Sequence, residues 1–412
     1  MGEINVYKVL KERGFIYQVT DEEELEELLG REKITCYIGF DPTAKSFHVG
    51  NLLPILALMH FQRCGHRPIA LLGGGTGLIG DPSGKKEARP LMSPQELEEN
   101  SRYLQRQLAR FLDFEGGRAL LLNNAEWLTK LNYIEFLRDI GRHFSVNRML
   151  QAETYKLRYE TTGLNFVEFN YMLLQAYDFL YLWKHYGCLL QMGGSDQWAN
   201  ICAGIELIRR AEEGKAYGLV FPLLTTATGE KMGKTEKGAV WLDPELTSPY
   251  EFYQYWINVD DRDVERFLGL FTFLPMDEVK RLGSLQGEEI RKAKEILAFE
   301  VTKIVHGEEE AKKAREVSRA LFGKEGKVKE GIPTTEIKRS ELEAGILAYE
   351  LLVITGLAGT KSEARRLISQ GGAYINDKRI ESFDQKVTTA DLEEGVIILR
   401  VGKKKYHRVV AV

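Results

Sequence analysis

Hydrophobic spacing divides the first half of the chain into strands and helices that alternate. Short β-prone runs predict strands at residues 34–38, 68–72, 120–122 and 188–192. Apolar residues at helical spacing predict helices at 21–29, 52–61, 93–112 and 165–186, with Gly30 and Gly65 expected to end the first two. This alternation predicts an α/β domain with a parallel sheet, covering residues 1–247.

The second half of the chain has a different pattern. Residues 248–322 carry aromatic and charged positions at helical spacing, which predicts a helical domain. A charged stretch with less pattern, 323–344, is expected to be a linker. The last part, 345–412, begins with helices and continues as a turn, a strand and a hairpin, which predicts a small α+β domain.

Composition and charge are those of an ordinary globular protein, with one local exception. The 412 residues exceed the usual size of a single core, which agrees with several domains. The net charge is −4, yet residues 351–412 carry 11 Lys and Arg against 7 Asp and Glu. This locally basic tail predicts contact with a polyanion such as nucleic acid.

The four cysteines are scattered through apolar contexts and include no Cys-x-x-Cys pair. Neither a disulfide framework nor a zinc site is expected from them, and no protein-bound metal is predicted. No apolar run reaches the ~18 residues that cross a membrane, and the amino terminus lacks a basic-then-apolar signal pattern. We therefore expect a cytoplasmic protein with no membrane partner.

The stretch from Tyr37 to Asn51 turns from a strand, through a tight polar loop, into the first residues of a helix. A helix that opens on His48-Val49-Gly50-Asn51 presents free backbone N–H groups and the positive end of its dipole, which favours phosphate. Gly50 has no side chain, so a nucleotide can lie against the helix there. An ordinary capped helix would have the same pattern.

Two lysines stand three residues apart in a glycine-flanked segment, Gly229–Thr235, which we call the lysine loop. Lys231 and Lys234 suit a mobile clamp on a polyphosphate. Exposed lysine-rich loops are commonly just solvated, so the segment alone does not decide between the two interpretations.

A glycine run, 73–80, follows the strand at 68–72. Its spacing Gly75-x-Gly77-x-x-Gly80 fits the dinucleotide fingerprint, which makes a nicotinamide-dependent oxidoreductase the main alternative. That fingerprint should be followed directly by a helix, however, and Pro82 would interrupt a helix at this position. We favour the interpretation that the glycine run lets the backbone approach a bound amino acid. Asp81 would then face the ammonium group of that amino acid. Lys85, Lys86 and Arg89 would form a basic flap.

The helix predicted at 165–186 is apolar nearly all round and should be buried. Tyr171, Gln175 and Asp178 nevertheless stand at i, i+4 and i+7, one above another on a single face. Because buried polar groups need partners, this stripe predicts either a polar-lined pocket or an internal hydrogen-bond network.

These segments together resemble one family. Residues 48–51 and the lysine loop are similar, in order and separation, to the HIGH and KMSKS signatures of class I aminoacyl-tRNA synthetases, although Asn51, Gly233 and Thr235 depart from the common forms. The string Gly193-Gly194-Ser195-Asp196-Gln197, together with Tyr37, Asp81 and the helical stripe, resembles the tyrosyl-tRNA synthetases over nearly the whole chain. The resemblance implies a Rossmann-like catalytic domain, a helical anticodon-side domain and a small RNA-binding domain.

The resemblance also implies a role for each matching residue. The phenolic hydroxyl of tyrosine would be held by Tyr37 and Asp178, within a tyrosine-binding set of Tyr37, Asp81, Tyr171, Gln175, Asp178 and Gln197. ATP would be bound by Gly39, Asp41, His48, Gly50, Asn51, Gly194, Asp196, Lys231 and Lys234. The catalytic set would be Thr43, His48, Asn51, Lys231, Lys234 and Thr235.

The implied activity is ATP-dependent ligation of L-tyrosine to tRNA(Tyr) through tyrosyl-adenylate. This reaction needs positioning, and positive charge around the phosphates, rather than a general base. Mg²⁺ is expected to be carried by the phosphates of ATP, because no cage of carboxylates is apparent. The family further implies a homodimer.

The tail resembles a small RNA-binding domain first known from a ribosomal protein of the small subunit. The basic residues expected on tRNA are Arg365, Arg366, Lys378, Arg379, Lys403 and Lys404. Thr360 or Ser362 should cap the helix that carries the two arginines. The alternatives are a cap domain without RNA contacts and, for the whole chain, a non-catalytic RNA-binding protein, against which the intact pair Lys231 and Lys234 argues.

Overall fold

The computed structural model describes residues 4–83, 92–161, 163–235, 238–322, 333–393, 395–402 and 405–412. In chain order its helices are α1 (Val6–Arg13), α2 (Glu22–Arg31), α3 (Val49–Arg63), α4 (Pro94–Phe111), α5 (Ala125–Leu128), α6 (Tyr133–Asp139), α7 (Val146–Gln151), α8 (Glu153–Glu160), α9 (Phe166–Tyr186), α10 (Trp198–Glu212), α11 (Pro249–Ile257), α12 (Val264–Phe271), α13 (Met276–Gly283), α14 (Ile290–His306), α15 (Glu308–Phe322), α16 (Arg339–Ala344), α17 (Ala348–Ile354) and α18 (Lys361–Ser369).

The strands are β1 (Gln18–Val19), β2 (Thr35–Phe40), β3 (Arg67–Leu72), β4 (Leu120–Asn123), β5 (Cys188–Gly194), β6 (Tyr217–Phe221), β7 (Lys234–Thr235), β8 (Gly238–Ala239), β9 (Thr334–Ile337), β10 (Ile346–Leu347), β11 (Ala373–Ile375), β12 (Lys378–Arg379), β13 (Lys386–Val387), β14 (Val396–Val401) and β15 (Lys405–Ala411). Six of them form the main sheet, in the order β1-β6-β5-β2-β3-β4. All neighbours in it are parallel except β1, which lies antiparallel at the edge. The predicted parallel-sheet α/β domain is confirmed.

The strand order reverses between β2 and β5. Strands β3 and β4 lie on one side of β2, whereas β5 and β6 lie on the other. Tyr37 of β2 pairs with Gln191 of β5 across the reversal. Ligands of open parallel sheets bind at the carboxyl ends of strands flanking such a point, so the polar segments that follow β2 and β5 meet where a ligand is expected.

Helix α9 fills the core beside this sheet and packs closely against α10. Phe179 and Leu182 of α9 are fully buried, together with Tyr37 of β2 and Leu207 of α10. The prediction of a buried helix is confirmed from Tyr171 to Leu182, whereas Phe166 in the first turn is 66% exposed. Its polar stripe therefore faces either the protein interior or a cavity within it.

Several helices begin or end at the capping residues that the sequence predicts. Ser93 accepts a hydrogen bond from the backbone of Glu96, and the Glu96 carboxylate accepts one from the backbone of Ser93, so α4 begins with a capping box. Thr360, rather than Ser362, caps α18. Gly65 stands just beyond α3 in the left-handed conformation, with φ of 85°.

The prediction that Gly30 ends α2 is wrong, because the helix continues to Arg31. Gly30 has a packing role instead. A Cβ atom at this position would lie 2.8 Å from Nδ2 of Asn5, the residue that caps α1. The glycine therefore allows the start of α1 to approach α2.

Packing divides the described residues into two compact units. The first lies within 1–233, 241–243 and 260–293, and the second within 234–240, 244–259 and 294–412. The boundaries of these two units differ from the boundaries of the three predicted domains. Helix α12 belongs to the first unit because Arg13 of α1 donates hydrogen bonds to the carbonyl oxygens of Gly269 and Thr272, at 3.1 and 2.8 Å.

The second unit contains helix α11 packed on α15, and a five-stranded sheet in the order β12-β11-β14-β15-β9. Helices α17 and α18 share an apolar core with this sheet. Residues 333–344, which the sequence assigns to the linker, contain β9 and α16, and β9 runs parallel to β15. This part of the linker therefore belongs to the fold of the tail.

Candidate active site

A cavity of about 1320 Å³ opens at the carboxyl ends of β2 and β5. Its walls come from the turn after β2, the glycine run after β3, the helix α9 and the segment after β5. They include every residue of the predicted tyrosine, ATP and catalytic sets except Lys234 and Thr235: Tyr37, Gly39, Asp41, Thr43, His48, Gly50, Asn51, Asp81, Tyr171, Gln175, Asp178, Gly194, Asp196, Gln197 and Lys231. The fold thus gathers the predicted residues from distant parts of the sequence.

Asp178 is buried in the wall of this cavity, and two donors orient its carboxylate. Asn124 Nδ2 donates to Oδ2 at 2.8 Å, and Trp127 Nε1 donates to Oδ1 at 2.7 Å. Burial raises the pKa of Asp178 to about 7, against the effect of these two hydrogen bonds. The predictions from sequence do not include Asn124 or Trp127, although Asn124 directly follows β4 at the same edge of the sheet.

The hydroxyl of Tyr37 is buried and has no hydrogen-bond partner among the residues that the structure describes. Its ring packs against Phe179, with 5.4 Å between centroids. Burial and the charge of Asp178 raise the pKa of Tyr37 well above its usual value, so the hydroxyl stays protonated. An unsatisfied buried hydroxyl near a carboxylate is the environment expected for a site that binds a polar hydroxyl of a ligand.

A second polar network includes Asp81, Gln175 and Gln197. Gln197 Nε2 donates to Asp81 Oδ2 at 2.8 Å, and Gln175 Nε2 donates to Gln197 Oε1 at 3.2 Å. Asn200, a residue that the sequence does not single out, donates from Nδ2 to Gln175 Oε1 at 3.0 Å. The carboxylate and amide oxygens gathered here are suitable acceptors for an ammonium group.

Tyr171 connects the two sides of the cavity. Its hydroxyl donates to Asp41 Oδ2 at 3.0 Å, and Thr76 Oγ1 donates to Asp41 Oδ1 at 2.8 Å. Burial, and then the charges of Asp41 and Asp81, raise the pKa of the Tyr171 hydroxyl well above its usual value. Asp41, predicted on the ribose side, is therefore bonded to a residue predicted on the ammonium side.

The amino terminus of α3 forms another wall, and His48 caps it. His48 Nδ1 accepts a hydrogen bond from the Gly50 backbone at 2.9 Å, and Asn51 Oδ1 accepts one from the His48 backbone at 3.1 Å. Because Nδ1 accepts this hydrogen bond, Nε2 is the ring nitrogen that can donate to a ligand. A Cβ atom on Gly50 would lie 2.7 Å from the ring of His48, so a glycine is required for this arrangement.

The first part of the lysine loop rests on that helix terminus. Lys231 forms a β-bridge with Thr225, and Gly233 has φ of 80°. A Cβ atom on Gly233 would lie 3.2 Å from the backbone nitrogen of Gly50. The two segments that resemble the class I signatures are therefore in contact through their glycines. Lys234 and Thr235 form β7, and their side chains lie outside what the structure describes.

The predicted tRNA-binding residues lie on the tail. Arg365 and Arg366 stand on α18, whereas Lys378 and Arg379 form the exposed strand β12. The guanidinium of Arg365 lies 4.2 Å from the ring centroid of Tyr349, which holds this cation at the surface. Lys403 and Lys404, and the flap residues Lys85, Lys86 and Arg89, lie outside the described residues.

The described part of the chain contains neither a metal-binding cluster nor a membrane-spanning helix. Within it, no group of three or more His, Cys, Asp or Glu side chains could hold a metal ion. No helix among the described residues is both long and apolar enough to cross a membrane. The four cysteines form no disulfide bonds, and Cys36 and Cys188 are buried.

Comparison with known families decides between the alternatives. The family model for "tRNA synthetases class I (W and Y)" matches residues 29–323, and that for the "Tyrosine--tRNA ligase SYY-like C-terminal domain" matches residues 325–409. The chain belongs to the tyrosyl-tRNA synthetase family. The resemblance found in the sequence is confirmed, and the oxidoreductase and non-catalytic alternatives are excluded as descriptions of the family.

Individual relatives cover nearly the whole chain. The tyrosine–tRNA ligase of Desulfatibacillum aliphaticivorans is 56% identical over 99% of both chains. The tyrosine–tRNA ligase of Caldanaerobacter subterraneus is 58% identical over 98% of this chain and 99% of its own. The crystal structure of a C-terminally truncated mitochondrial tyrosyl-tRNA synthetase from Aspergillus nidulans is 32% identical with a TM-score of 0.70, and the match covers 77% of this chain and 94% of that one.

Proposed function

We propose that this chain ligates L-tyrosine to tRNA(Tyr) in two ATP-dependent steps, and that the cavity described above is the site of the first. Tyrosine and ATP react there to tyrosyl-adenylate and pyrophosphate, and the tyrosyl group then passes to the 3′-terminal ribose of the tRNA. The observation that supports this best is the unsatisfied hydroxyl of Tyr37 near the oriented carboxylate of Asp178. A phenol is the group that completes both.

Recognition of the phenol depends on hydrogen bonding. The ionised Asp178 accepts the phenolic O–H while Asn124 and Trp127 hold its two oxygens, and the hydroxyl of Tyr37 donates to the phenolic oxygen. Phenylalanine would leave the buried hydroxyl of Tyr37 without a partner and would give the Asp178 carboxylate no donor beyond Asn124 and Trp127, which costs more than breaking one hydrogen bond in water. Selection for tyrosine follows from this difference.

The other end of the amino acid is positioned by the second polar network. Asp81 and the amide oxygens of Gln175 and Gln197 accept hydrogen bonds from the ammonium group, with Tyr171 closing the wall beside them. The carboxylate of tyrosine then points toward α3, where the α-phosphate of ATP lies at the positive end of the helix.

The chemical step is an in-line displacement. An oxygen of the tyrosine carboxylate, already an anion at neutral pH, attacks the α-phosphorus, and the bond to the bridging oxygen of pyrophosphate breaks. No base is needed. Thr43, His48 and Asn51 donate to phosphate oxygens, while Lys231, Lys234 and Thr235 of the lysine loop stabilise the charge that develops on the leaving pyrophosphate. Asp196, Gly194 and Gly39 line the nucleoside side.

Magnesium enters this scheme as part of the substrate. A carboxylate-rich metal site is absent from the residues that the structure describes, and Mg²⁺ binds readily to the phosphates of ATP with few protein ligands. We therefore propose that the enzyme binds Mg–ATP. Its substrates are all available in the cytoplasm, which is where we propose that it acts.

The tail is proposed to bind tRNA. Arg365, Arg366, Lys378 and Arg379 lie on its α18 and β12 and carry positive charge for phosphate contacts. Lys403 and Lys404 are proposed to add positive charge for tRNA binding. The tail has an apolar core made of its own residues, and we assign it to tRNA binding rather than to adenylate formation.

Exposed apolar side chains in the first unit support a homodimer. Soluble proteins rarely expose several large apolar residues from neighbouring helices unless a partner covers them. Helices α6 to α8 and the start of α9 expose Tyr133 (57%), Ile134 (69%), Leu137 (37%), Val146 (56%), Tyr159 (68%), Phe166 (66%) and Val167 (42%). Sedimentation velocity should give a dimer, and a variant with Ile134→Glu and Phe166→Glu should sediment as a folded monomer.

The ligase activity is tested by charging tRNA with labelled tyrosine. Purified protein with ATP, Mg²⁺ and a tRNA(Tyr) transcript should form an ester-linked product that mild alkali hydrolyses. A transcript for another amino acid should remain uncharged. Charging that requires no ATP, or equal charging of both transcripts, would refute the proposed reaction.

A further inference from the structure

The segment that follows the lysine loop is anchored to the turn that leads into α3. The backbone N–H of Leu242 donates to the carbonyl of Phe47 at 2.8 Å, and that of Asp243 donates to Ser46 Oγ at 3.2 Å. Trp241 forms a β-bridge with His48. The chain therefore returns from the lysine loop directly onto the residues that precede the phosphate-side helix terminus.

Gln107 of α4 lies beneath this junction and is buried. Its Oε1 accepts hydrogen bonds from the Phe47 backbone at 3.1 Å and from Ser46 Oγ at 3.3 Å. Its Nε2 donates to Asp243 Oδ2 at 3.4 Å. The oxygen of the Gln107 amide thus binds the turn before α3. Its nitrogen binds the segment after the lysine loop.

A second side chain of α4 contacts the same loop. Asn100 stands seven residues before Gln107 on the same face and donates to the carbonyl of Pro42 at 3.0 Å. The capping box at Ser93 fixes the start of the helix. Helix α4 consequently holds the loop between β2 and α3 at both of its ends.

Burying a side-chain amide costs free energy because its polar atoms lose their contact with water. A side chain of similar size and no polar atoms would fill the same space without desolvation. The amide of Gln107 instead satisfies a backbone N–H that has left regular structure, and a carboxylate on a different segment. Its polar atoms specify how the two segments are arranged.

We propose that Gln107 is a positioning residue for adenylate formation, which fixes Asp243, in the segment that follows the lysine loop, relative to His48 at the start of α3. This inference rests on the function proposed above for the lysine loop. Gln107 does not line the tyrosine side of the cavity. Removing its amide should therefore slow the step in which pyrophosphate separates and leave tyrosine binding unchanged.

A charge swap tests this pairing. Gln107→Glu keeps an oxygen for Phe47 and Ser46 but places a second carboxylate against Asp243. Asp243→Asn alone is the matched control, because an asparagine oxygen can still accept from Gln107. In the double variant the donor and acceptor are exchanged, and the pairing is restored. Gln107→Met, of similar length with no hydrogen-bonding atoms, provides an uncharged test if the glutamate variant does not fold.

The rate constant of tyrosyl-adenylate formation at saturating tyrosine should fall on the order of 10- to 100-fold in Gln107→Glu and Gln107→Met. The tyrosine dissociation constant should stay within about twofold of the wild type, because the phenol and ammonium contacts are untouched. The double variant should regain most of the wild-type rate. Ser101→Ala, at a buried hydroxyl that donates to the carbonyl of Leu97 in its own helix at 2.7 Å, should have no effect on the rate.

An unchanged rate in Gln107→Met would overturn the inference, as would equal reductions of rate and tyrosine affinity or a double variant no better than Gln107→Glu. The wild type and Lys231→Ala are measured alongside. If the wild type forms no adenylate, or Lys231→Ala forms it at the normal rate, the proposed function of the site or of the lysine loop is wrong. If both behave as proposed and the Gln107 variants are normal, only the positioning role fails.

Discussion

The indole N–H of Trp127 donates a 2.7 Å hydrogen bond to Oδ1 of Asp178. Together with Asn124 on the other oxygen, it fixes the carboxylate before any substrate is bound. A carboxylate held in this way needs little reorganisation when a phenol arrives, so more of the interaction energy is available for selecting tyrosine.

Tyrosine binding should depend on pH because of Asp178. Its pKa is raised to about 7 by burial, so the carboxyl becomes protonated as the pH falls from 8 to 6 and no longer acts as a charged acceptor. The apparent dissociation constant of tyrosine should rise as pH falls, approaching about tenfold per pH unit below the pKa. Equilibrium dialysis with labelled tyrosine at several pH values measures this.

Asp178→Asn is the control for the pH dependence. It keeps the size of the side chain and removes the titrating group, so binding should be weaker at pH 8 and nearly constant between pH 6 and 8. The nearby hydroxyls of Tyr37 and Tyr171 have pKa values raised well above their usual range and do not titrate in this window. A pH dependence that survives in Asp178→Asn would assign the effect to another group.

The stripe on α9 can be predicted from the sequence because helical spacing brings Tyr171, Gln175 and Asp178 to one face. Their partners are harder to find. Trp127 and Asn200 lie on other helices, and only tertiary packing brings them to the stripe. Asn124 has a usable signal, since it follows β4 at the edge where β2 and β5 also end.

Glycine illustrates why sequence signals are ambiguous. Gly30 has the pattern of a helix stop, yet it provides space for Asn5, which belongs to a different helix terminus. The contact between Gly233 and Gly50 is equally hidden in the sequence, because it joins segments that are far apart in the chain. Local patterns predict the elements of this fold, whereas close approaches between elements depend on tertiary packing.

Gly233→Ala should slow adenylate formation. Gly233 has φ of 80°, and an added Cβ would lie 3.2 Å from the nitrogen of Gly50 and 3.3 Å from Cβ of Val49. The methyl group would push the lysine loop away from α3, and a displacement of this kind should reduce the rate constant about 10- to 100-fold. Single-turnover measurement of adenylate formation gives this rate.

Gly229→Ala is the matched control within the same loop. Its φ of 83° imposes the same backbone strain, about 1–2 kcal/mol, but nothing lies within 4 Å of the added Cβ. The rate constant should therefore fall much less than in Gly233→Ala. Similar reductions in the two variants would mean that backbone strain, and not the contact with Gly50, determines the effect.

A chain that ends at residue 322 should still form tyrosyl-adenylate, because every residue assigned to tyrosine or ATP lies at or before Thr235. Charging of tRNA should fall sharply. The salt dependence of tRNA binding should become shallower, by about 0.7 to 0.9 in the logarithmic slope for each phosphate that the shortened chain no longer neutralises. The cut is placed before β9, since this strand belongs to the sheet of the tail.

Filter binding of tRNA at several salt concentrations, with the full-length and shortened chains side by side, measures this slope. Equal slopes and equal charging would show that the tail does not bind RNA. A shortened chain that forms no adenylate would show instead that the tail supports the first step.

The most direct measurement is exchange of labelled pyrophosphate into ATP, with tyrosine, phenylalanine and tryptophan supplied separately. Exchange should be rapid with tyrosine and at background with the other two, because only tyrosine satisfies Tyr37 and Asp178. In Asp178→Ala the activity with tyrosine should fall about 10- to 100-fold, the reduction expected for removing a charged hydrogen bond, and the preference for tyrosine over phenylalanine should decrease. Exchange that does not require tyrosine, or that is equal for all three amino acids, would contradict the assignment of this cavity.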